Sequence, residues 1–199
     1  MSRPLILLEF DDVIVISHDA RLDALRQAAA ADEVTFSDTF FDEQCAGQSF
    51  AAAARALYST SPFATDETAM ELATARAGRN YAKATARGLM LMPEVGEFLR
   101  HQAERARLGL VAVTPATEVH HLLELAGLTE CFDSIVCDDD GGTQGSLVEL
   151  WERARARLLR RESALDAEVV AIVASASAFE AARTAGCRPS FMAAGSRAT

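Results

Sequence analysis

The chain has 199 residues, half of them hydrophobic, and a formal net charge of −10. That length suits one domain, or one domain with a modest insertion, and supplies enough apolar side chains for a sizeable core. The acidic balance argues against a nucleic-acid or anionic-membrane partner, because phosphate surfaces are held by basic patches, and Lys83 is the one lysine in the chain.

Cys45, Cys131, Cys137 and Cys187 are scattered, with no C-x-x-C pair and no histidine at ligand spacing. Neither zinc nor a disulfide framework is expected from them; buried thiols are. Met1 leads directly into a strand-like run, with no signal-like or bilayer-spanning stretch, which points to a cytoplasmic protein.

The chain is organised around Leu5 to Ser17. A run of four apolar residues without polar alternation predicts a strand covered on both faces, as in a parallel sheet. Glu9, Asp11 and Asp12 begin where that run stops. Acids at the C-terminal end of such a strand lie where ligands bind in open α/β sheets, and three carboxylates beside a core strand repel one another unless something holds them.

From His18 to Arg87 the sequence becomes Ala-rich, with predicted helices at Ala20 to Ala31, Asp42 to Tyr58 and Asp66 to Ala86, separated by breakers such as Ser61-Pro62 and closed by Gly88. Pro93 then opens a helix over Glu94 to Arg105. A second buried strand, Leu108 to Val113, ends at Thr114, and a helix follows from about Thr117, with Gly127 as its stop. A short strand at Ser134 to Cys137 runs into the acidic turn Asp138-Asp139-Asp140, which reads better as a solvated loop than as a cation site, because consecutive acids alternate in direction. Leu147 to Leu158 has helical spacing, with Arg153, Arg155 and Arg157 on its polar face as solvated charge. The last strand, Val169 to Val173, is followed by a helix with a capping-box start at Ser177 to Glu180 and a stop at Gly186. Strands joined by helices predict an α/β fold with parallel neighbours whose C-terminal ends share one edge.

These motifs resemble those of the haloacid dehalogenase-like (HAD) hydrolase superfamily, in particular its phosphoglycolate phosphatase and beta-phosphoglucomutase-like group. Glu9-Phe10-Asp11-Asp12-Val13 is similar to the first motif, Asp-x-Asp-Gly-Val. Leu-Val-Ala-Val-Thr-Pro-Ala-Thr is similar to the second, and Ala181-Ala182-Arg183-Thr184-Ala185-Gly186 to the family's Ala-Ala-x-x-Ala-Gly. The resemblance implies a Rossmann-like parallel sheet flanked by helices over residues 1–17 and 88–199, with an inserted all-helical cap over 18–87. Phe41 to Ser49 resembles the family's cap segment ending in Gly-x-Ser.

By position, the family's nucleophile falls on Glu9, its general acid and base on Asp11, and its phosphoryl-binding hydroxyl on Thr114. Asp12, Thr114, Pro115 and Ala116 are the implied substrate-binding residues. Three departures stand against activity: Glu9 is longer than the family's Asp, the motif III lysine slot falls on Gly145, and the fourth-motif acids fall on Val173 and Ala174. The resemblance therefore implies a small phosphorylated molecule as partner and Mg²⁺ as cofactor if the protein is active. With these residues no cofactor is expected beyond a loosely held ion at Glu9 and Asp11. A catalytically impaired phosphatase with a binding or regulatory role is the leading expectation. The alternatives are an active phosphatase in which Asp12, Asp140 or an arginine substitutes, and a metal-free dehalogenase.

Overall fold

The computed structural model describes residues 3–59, 61–86, 88–139, 146–160 and 167–192. Its centre is a five-stranded sheet built from β1 (Leu5–Glu9), β4 (Arg107–Ala112), β5 (Ser134–Cys137), β6 (Val169–Val173) and β7 (Arg188–Phe191), all parallel, in the order β5-β4-β1-β6-β7. β1 lies in the middle because it is apolar on both faces: Leu7 is sealed against α7 (Leu147–Leu159) and α8 (Ala176–Thr184), while Leu8 joins the core under α5 (Val95–Ala103) and α6 (Ala116–Leu125). The chain leaves β1 to one side for β4 and to the other for β6, so the strand order reverses at β1 and the crevice beyond its C-terminal end is the place for a ligand.

The four expected strands are present and parallel, within a residue of their expected limits. β7 is an additional one. It is an exposed edge strand with Pro189 in its middle, and proline is tolerated there because an edge strand leaves one row of N–H groups unpaired. The opposite edge, β5, is blunted by the α7 arginines: Arg157 donates to the Ile135 carbonyl at 3.1 Å and Arg153 to the Cys137 carbonyl at 3.5 Å. Expected as solvated charge, these two side chains instead satisfy edge carbonyls that would otherwise invite another strand.

Between Ser17 and Gly88 the described chain is helical. α1 (His18–Ala30), α2 (Asp38–Phe40), a π-helical turn at Phe41–Cys45, α3 (Phe50–Tyr58) and α4 (Glu67–Thr85) surround an apolar cluster of their own that includes Leu25, Phe41, Leu57, Tyr58 and Met70. The single helix expected over Asp42 to Tyr58 is broken in two. Gly47 adopts φ +72°, the left-handed region that ends helices, and Ser49 then caps α3 by accepting from the Ala52 N–H at 3.3 Å. The strands that enter and leave this block, β2 (Val15–Ile16) and β3 (Met90–Leu91), pair antiparallel. They are two residues long, too short for a periodic signal. Arg87, at the expected end of the block, Asp140 and Gly145 lie outside the described residues. Among the described residues, no helix is long and apolar enough to cross a membrane.

Candidate functional site

The ladder from β1 continues one residue past the strand, with the Phe10 N–H donating to the Val111 carbonyl at 2.8 Å, and the chain then doubles back so that the Asp12 N–H donates to the Val15 carbonyl. This turn puts Glu9, Asp11 and Thr114 side by side, all of them buried. Asp12 stands where the resembling motif has Gly, and its φ of +59° shows why Gly suits the position and why the short polar Asp is tolerated there. Its carboxylate faces away from the other two. Oδ1 accepts from the N–H groups of Ser17 at 2.9 Å and His18 at 3.0 Å, so it caps the start of α1 and fixes how the helical block leaves the sheet. His18 extends this joint. Its ring lies 2.7 Å from Asp42 and 3.1 Å from Asp19, and although burial lowers its proton affinity, these hydrogen bonds outweigh that and raise it.

Glu9 points along the sheet towards the end of β6. Oε2 accepts from the Ala174 N–H at 2.8 Å and the Ser175 N–H at 3.4 Å, while Oε1 accepts from the Ser175 hydroxyl at 3.0 Å. The extra methylene of Glu makes this reach possible, and the carboxyl group occupies the end of the strand where the resemblance would have placed fourth-motif acids. Burial pushes its pKa up to about 8; the Ala174 amide works against this and the neighbouring Asp11 charge adds to it. A protonated Glu9 can donate to Ser175 Oγ, which can donate to Ser177 Oγ 3.3 Å away. Ser177 in turn donates to the carbonyl of Ala46, in the loop before α3. The neutral form of Glu9 thus begins a chain of hydroxyls that ends on the helical block.

Asp11 accepts from the Thr114 hydroxyl, 3.3 and 3.4 Å from its two oxygens. Its counter-charge is Arg21 of α1, whose Nη1 lies 3.7 Å from Asp11 Oδ1 with both side chains at most 4% exposed. The guanidinium also donates to the Gln48 carbonyl at 2.5 Å and lies over the Phe50 ring, 4.6 Å from its centroid, with the Tyr81 ring at 5.6 Å. Tyr81 and Glu118 complete the surroundings, and burial raises the pKa of both, with Asp11 adding to the effect. Sequence reasoning misses Arg21, although a signal is present: Arg21, Ala24, Leu25 and Ala28 form one helical stripe, and an arginine in a buried stripe implies an acid opposite.

Thr114 is fully buried, two residues beyond the end of β4. Pro115 precedes α6, and the Ala116 N–H at the start of that helix is already engaged by the Asp139 carboxylate at 2.9 Å. The acidic turn therefore supplies an internal anion to the amide that an incoming anion would use. Meanwhile the helical block is seated on the β6–α8 turn: a Cβ built on Gly47 would overlap Ser175 Oγ and lie 2.8 Å from Ser175 Cβ.

The donors present do not suit a magnesium ion, which favours near-octahedral oxygen ligands. Glu9 is spent on β6 amides, Asp11 faces a guanidinium that would repel the ion, and Val173 and Ala174 carry no carboxylate. Among the described residues no three His, Cys, Asp or Glu side chains are grouped so as to hold a metal.

No protein-family model matches the chain, and no curated protein matches it. Solved structures do match over nearly its whole length. A beta-phosphoglucomutase from Clostridium difficile superposes with a TM-score of 0.73 at 16% identity, covering 94% of this chain and 83% of that one. CbbY from Rhodobacter sphaeroides, in complex with phosphate, gives 0.70 at 18% identity, covering 96% and 86%. The Bacillus subtilis protein YfnB, described as a HAD hydrolase bound to magnesium, gives 0.60 at 16% identity, covering 96% and 89%. At these identities the likeness is one of fold: a HAD-type α/β sheet with a helical insert after its first strand.

Proposed function

We propose that this chain, which has the HAD-type fold, is a member of that superfamily whose phosphoryl-transfer site has been rebuilt as a closed polar core, leaving a binding or regulatory protein with little phosphatase activity. The observation that carries this is the direction of Glu9: its carboxyl group is bonded to Ala174 and Ser175 and is not free to attack. Phosphoryl transfer depends on positioning and on neutralising the charge of the transferred group. Losing one electrostatic stabiliser costs about 10² to 10³ in rate, and a displacement of about 1 Å another 10². In this reading residues 18–87 act as a cap over the core, Asp11 and Thr114 persist as structural partners, and the occupied Ala116 amide weakens the case for a phosphorylated ligand. The buried free thiols of Cys45, Cys131 and Cys187 support a reducing, cytoplasmic setting.

The test is phosphate release from a small aryl phosphate with magnesium. Turnover on the order of 1 s⁻¹ or more, ordinary for an enzyme, would overturn the proposal. One observation favours the second reading, an active phosphatase: Arg21 brings a buried positive charge to Asp11, as a substitute for the missing lysine would. In that case Arg21→Met would abolish turnover per folded molecule, the folded fraction being followed by circular dichroism.

A further inference from the structure

His18, the first residue of α1, holds a carboxylate at each ring nitrogen: Nε2 lies 2.7 Å from Asp42 Oδ1 and Nδ1 lies 3.1 Å from Asp19 Oδ1. Carboxylates only accept, so both contacts are hydrogen bonds only when the imidazole carries two N–H groups, that is, when it is protonated. The neutral ring has one proton for two acceptors and turns a lone pair towards the other. The two acids are not equivalent. Asp19 is 95% exposed and is the next residue in the chain, so it can swing into water, whereas Asp42 lies on the π-helical turn and ties that turn to the start of α1. A third acid, Asp12, holds the His18 N–H at 3.0 Å, and the cations of α1 are turned elsewhere, Arg21 to Asp11 and Arg26 to Asp23 and Asp38. Burial lowers the proton affinity of the ring, but the bonds to Asp42 and Asp19 and the charges of Asp12 and Asp42 outweigh it and hold the pKa above its ordinary 6.5.

The π-helical turn is a rarely adopted form that its surroundings have to hold. Phe41 packs its ring against the His18 ring edge to face, with centroids 5.2 Å apart, and the turn closes through the Ala46 N–H on the Phe41 carbonyl at 2.8 Å. Gly47, which rests on Ser175, follows at once. We infer that His18 is a proton-operated latch: its charged form docks the π-helical turn on the start of α1, and its neutral form loosens that turn and with it the seat of the insert on the β6–α8 turn. The latch is independent of whether the centre turns over a substrate. Because the docked ring holds its proton more tightly than a free one, docking is favoured below about pH 6.5, and the advantage is lost as pH rises through the higher docked value. Linkage also fixes the size of the effect, since the factor by which protonation favours docking equals the factor by which docking raises the ring's proton affinity. For a pair open to water on one side that factor is about threefold, enough to move a local equilibrium and too little to unfold the chain.

The test is an NMR titration of the full chain, labelled with ¹³C and ¹⁵N, that follows the His18 ring and the amides of Asp42 to Gly47. Amide exchange is measured alongside as the ratio of parent to Asp42→Asn at each pH, which cancels both the intrinsic pH dependence of exchange and the titration of Glu9, whose hydroxyl chain also reaches Ala46. His18 should titrate with a midpoint above 6.5, the amides of the turn should shift with that same midpoint, and their protection relative to Asp42→Asn should fall by about threefold through it. In Asp42→Asn the His18 midpoint should drop and the amides of the turn should cease to follow it. The same ratio for the amides of β4 should stay level, which separates a local latch from a general loss of stability. A His18 midpoint at or below 6.5, amides of the turn that do not follow it, a level exchange ratio in the turn, or a β4 ratio that falls as far as that of the turn each overturns the inference. The first two are read in the parent protein alone and stand even if Asp42→Asn fails to fold.

Discussion

Replacing Glu9 by Gln tests the electrostatics of the centre directly. With a pKa near 8 in the fold against 4.5 for the free side chain, native Glu9 keeps a proton that the unfolded chain has released throughout that interval. The stability this contributes is complete below about pH 4.5 and is lost as pH rises through about 8, at up to about 1.4 kcal/mol per pH unit. Between pH 5 and pH 7 the loss amounts to about 3 kcal/mol, a large share of the stability of an ordinary domain. The Glu9→Gln side chain carries no charge at any of these pH values. Its amide oxygen can accept from the Ala174 N–H, and its NH₂ can donate to Ser175 Oγ, reproducing the neutral state of the hydroxyl chain to Ala46. Urea unfolding of both proteins at pH 5, 6, 7 and 8 should show the parent losing stability relative to Glu9→Gln at each step, with the variant more stable at pH 8. Since every other titrating group is common to both, the difference isolates residue 9. A difference that stays flat with pH, or that grows in favour of the parent, would refute the reasoning.

Three further outcomes follow from the same contacts. Arg21→Met should destabilise the protein by about 3 to 5 kcal/mol by orphaning buried Asp11, and adding Asp11→Asn should restore much of that; strict additivity in denaturant unfolding would count against the pair. Gly47→Ala should cost about 2 kcal/mol, since it strains a positive φ and drives a methyl group into Ser175, so a melting temperature equal to the parent's would contradict the seating of the insert on the β6–α8 turn. Asp12→Ala should cost about 1 kcal/mol or more, and Asp12→Gly less, because glycine keeps the φ of +59° even as both lose the carboxylate that caps α1. Thermal unfolding that ranks Ala above Gly would assign Asp12 some other role.

Strand runs and breakers made the sheet legible. Leu5 to Leu8, Leu108 to Val111 and Val169 to Val173 are apolar without alternation, and only a two-sided cover accounts for that. β7 was hidden because an edge strand with Pro189 and exposed alternate residues carries no such run. The juxtaposition of Glu9, Asp11 and Thr114 followed from two strands ending at the same edge. The direction of each side chain did not follow, because it depends on partners more than a hundred residues away. Glu9 is drawn to Ala174 and Ser175, which no local pattern in Leu5 to Ser17 announces. Asp12 turns back to Ser17 and His18 only because its φ is positive. The break at Gly47 and the buried Arg21 were both visible in principle, one as a helix terminator and the other as a charge on an apolar stripe.

The charges at this centre are settled inside the chain, and that bears on how the insert moves. Glu9 is neutralised by a proton and served by amides, Asp11 is paired by Arg21, and Asp12 and Asp139 are each held by the N–H groups at a helix start. Besides the Asp12 bond to the His18 N–H at the entry to α1, two contacts cross from core to insert: Arg21 to Asp11, and Ser177 to the carbonyl of Ala46. An enzyme that admits substrate under a mobile cap has to separate such surfaces at every turnover. Here separation would break the Arg21–Asp11 pair and the Ser177 hydrogen bond together, and it would lift Gly47 off Ser175. Water would resolvate both charges as they part, which leaves the pair's contribution well below the cost of orphaning it, yet the hydrogen bond and the packing of Arg21 on Phe50 and Tyr81 remain to be overcome. An opening cost of about 3 kcal/mol holds the open form below about 1% of molecules. The closed arrangement is therefore the resting state of this centre.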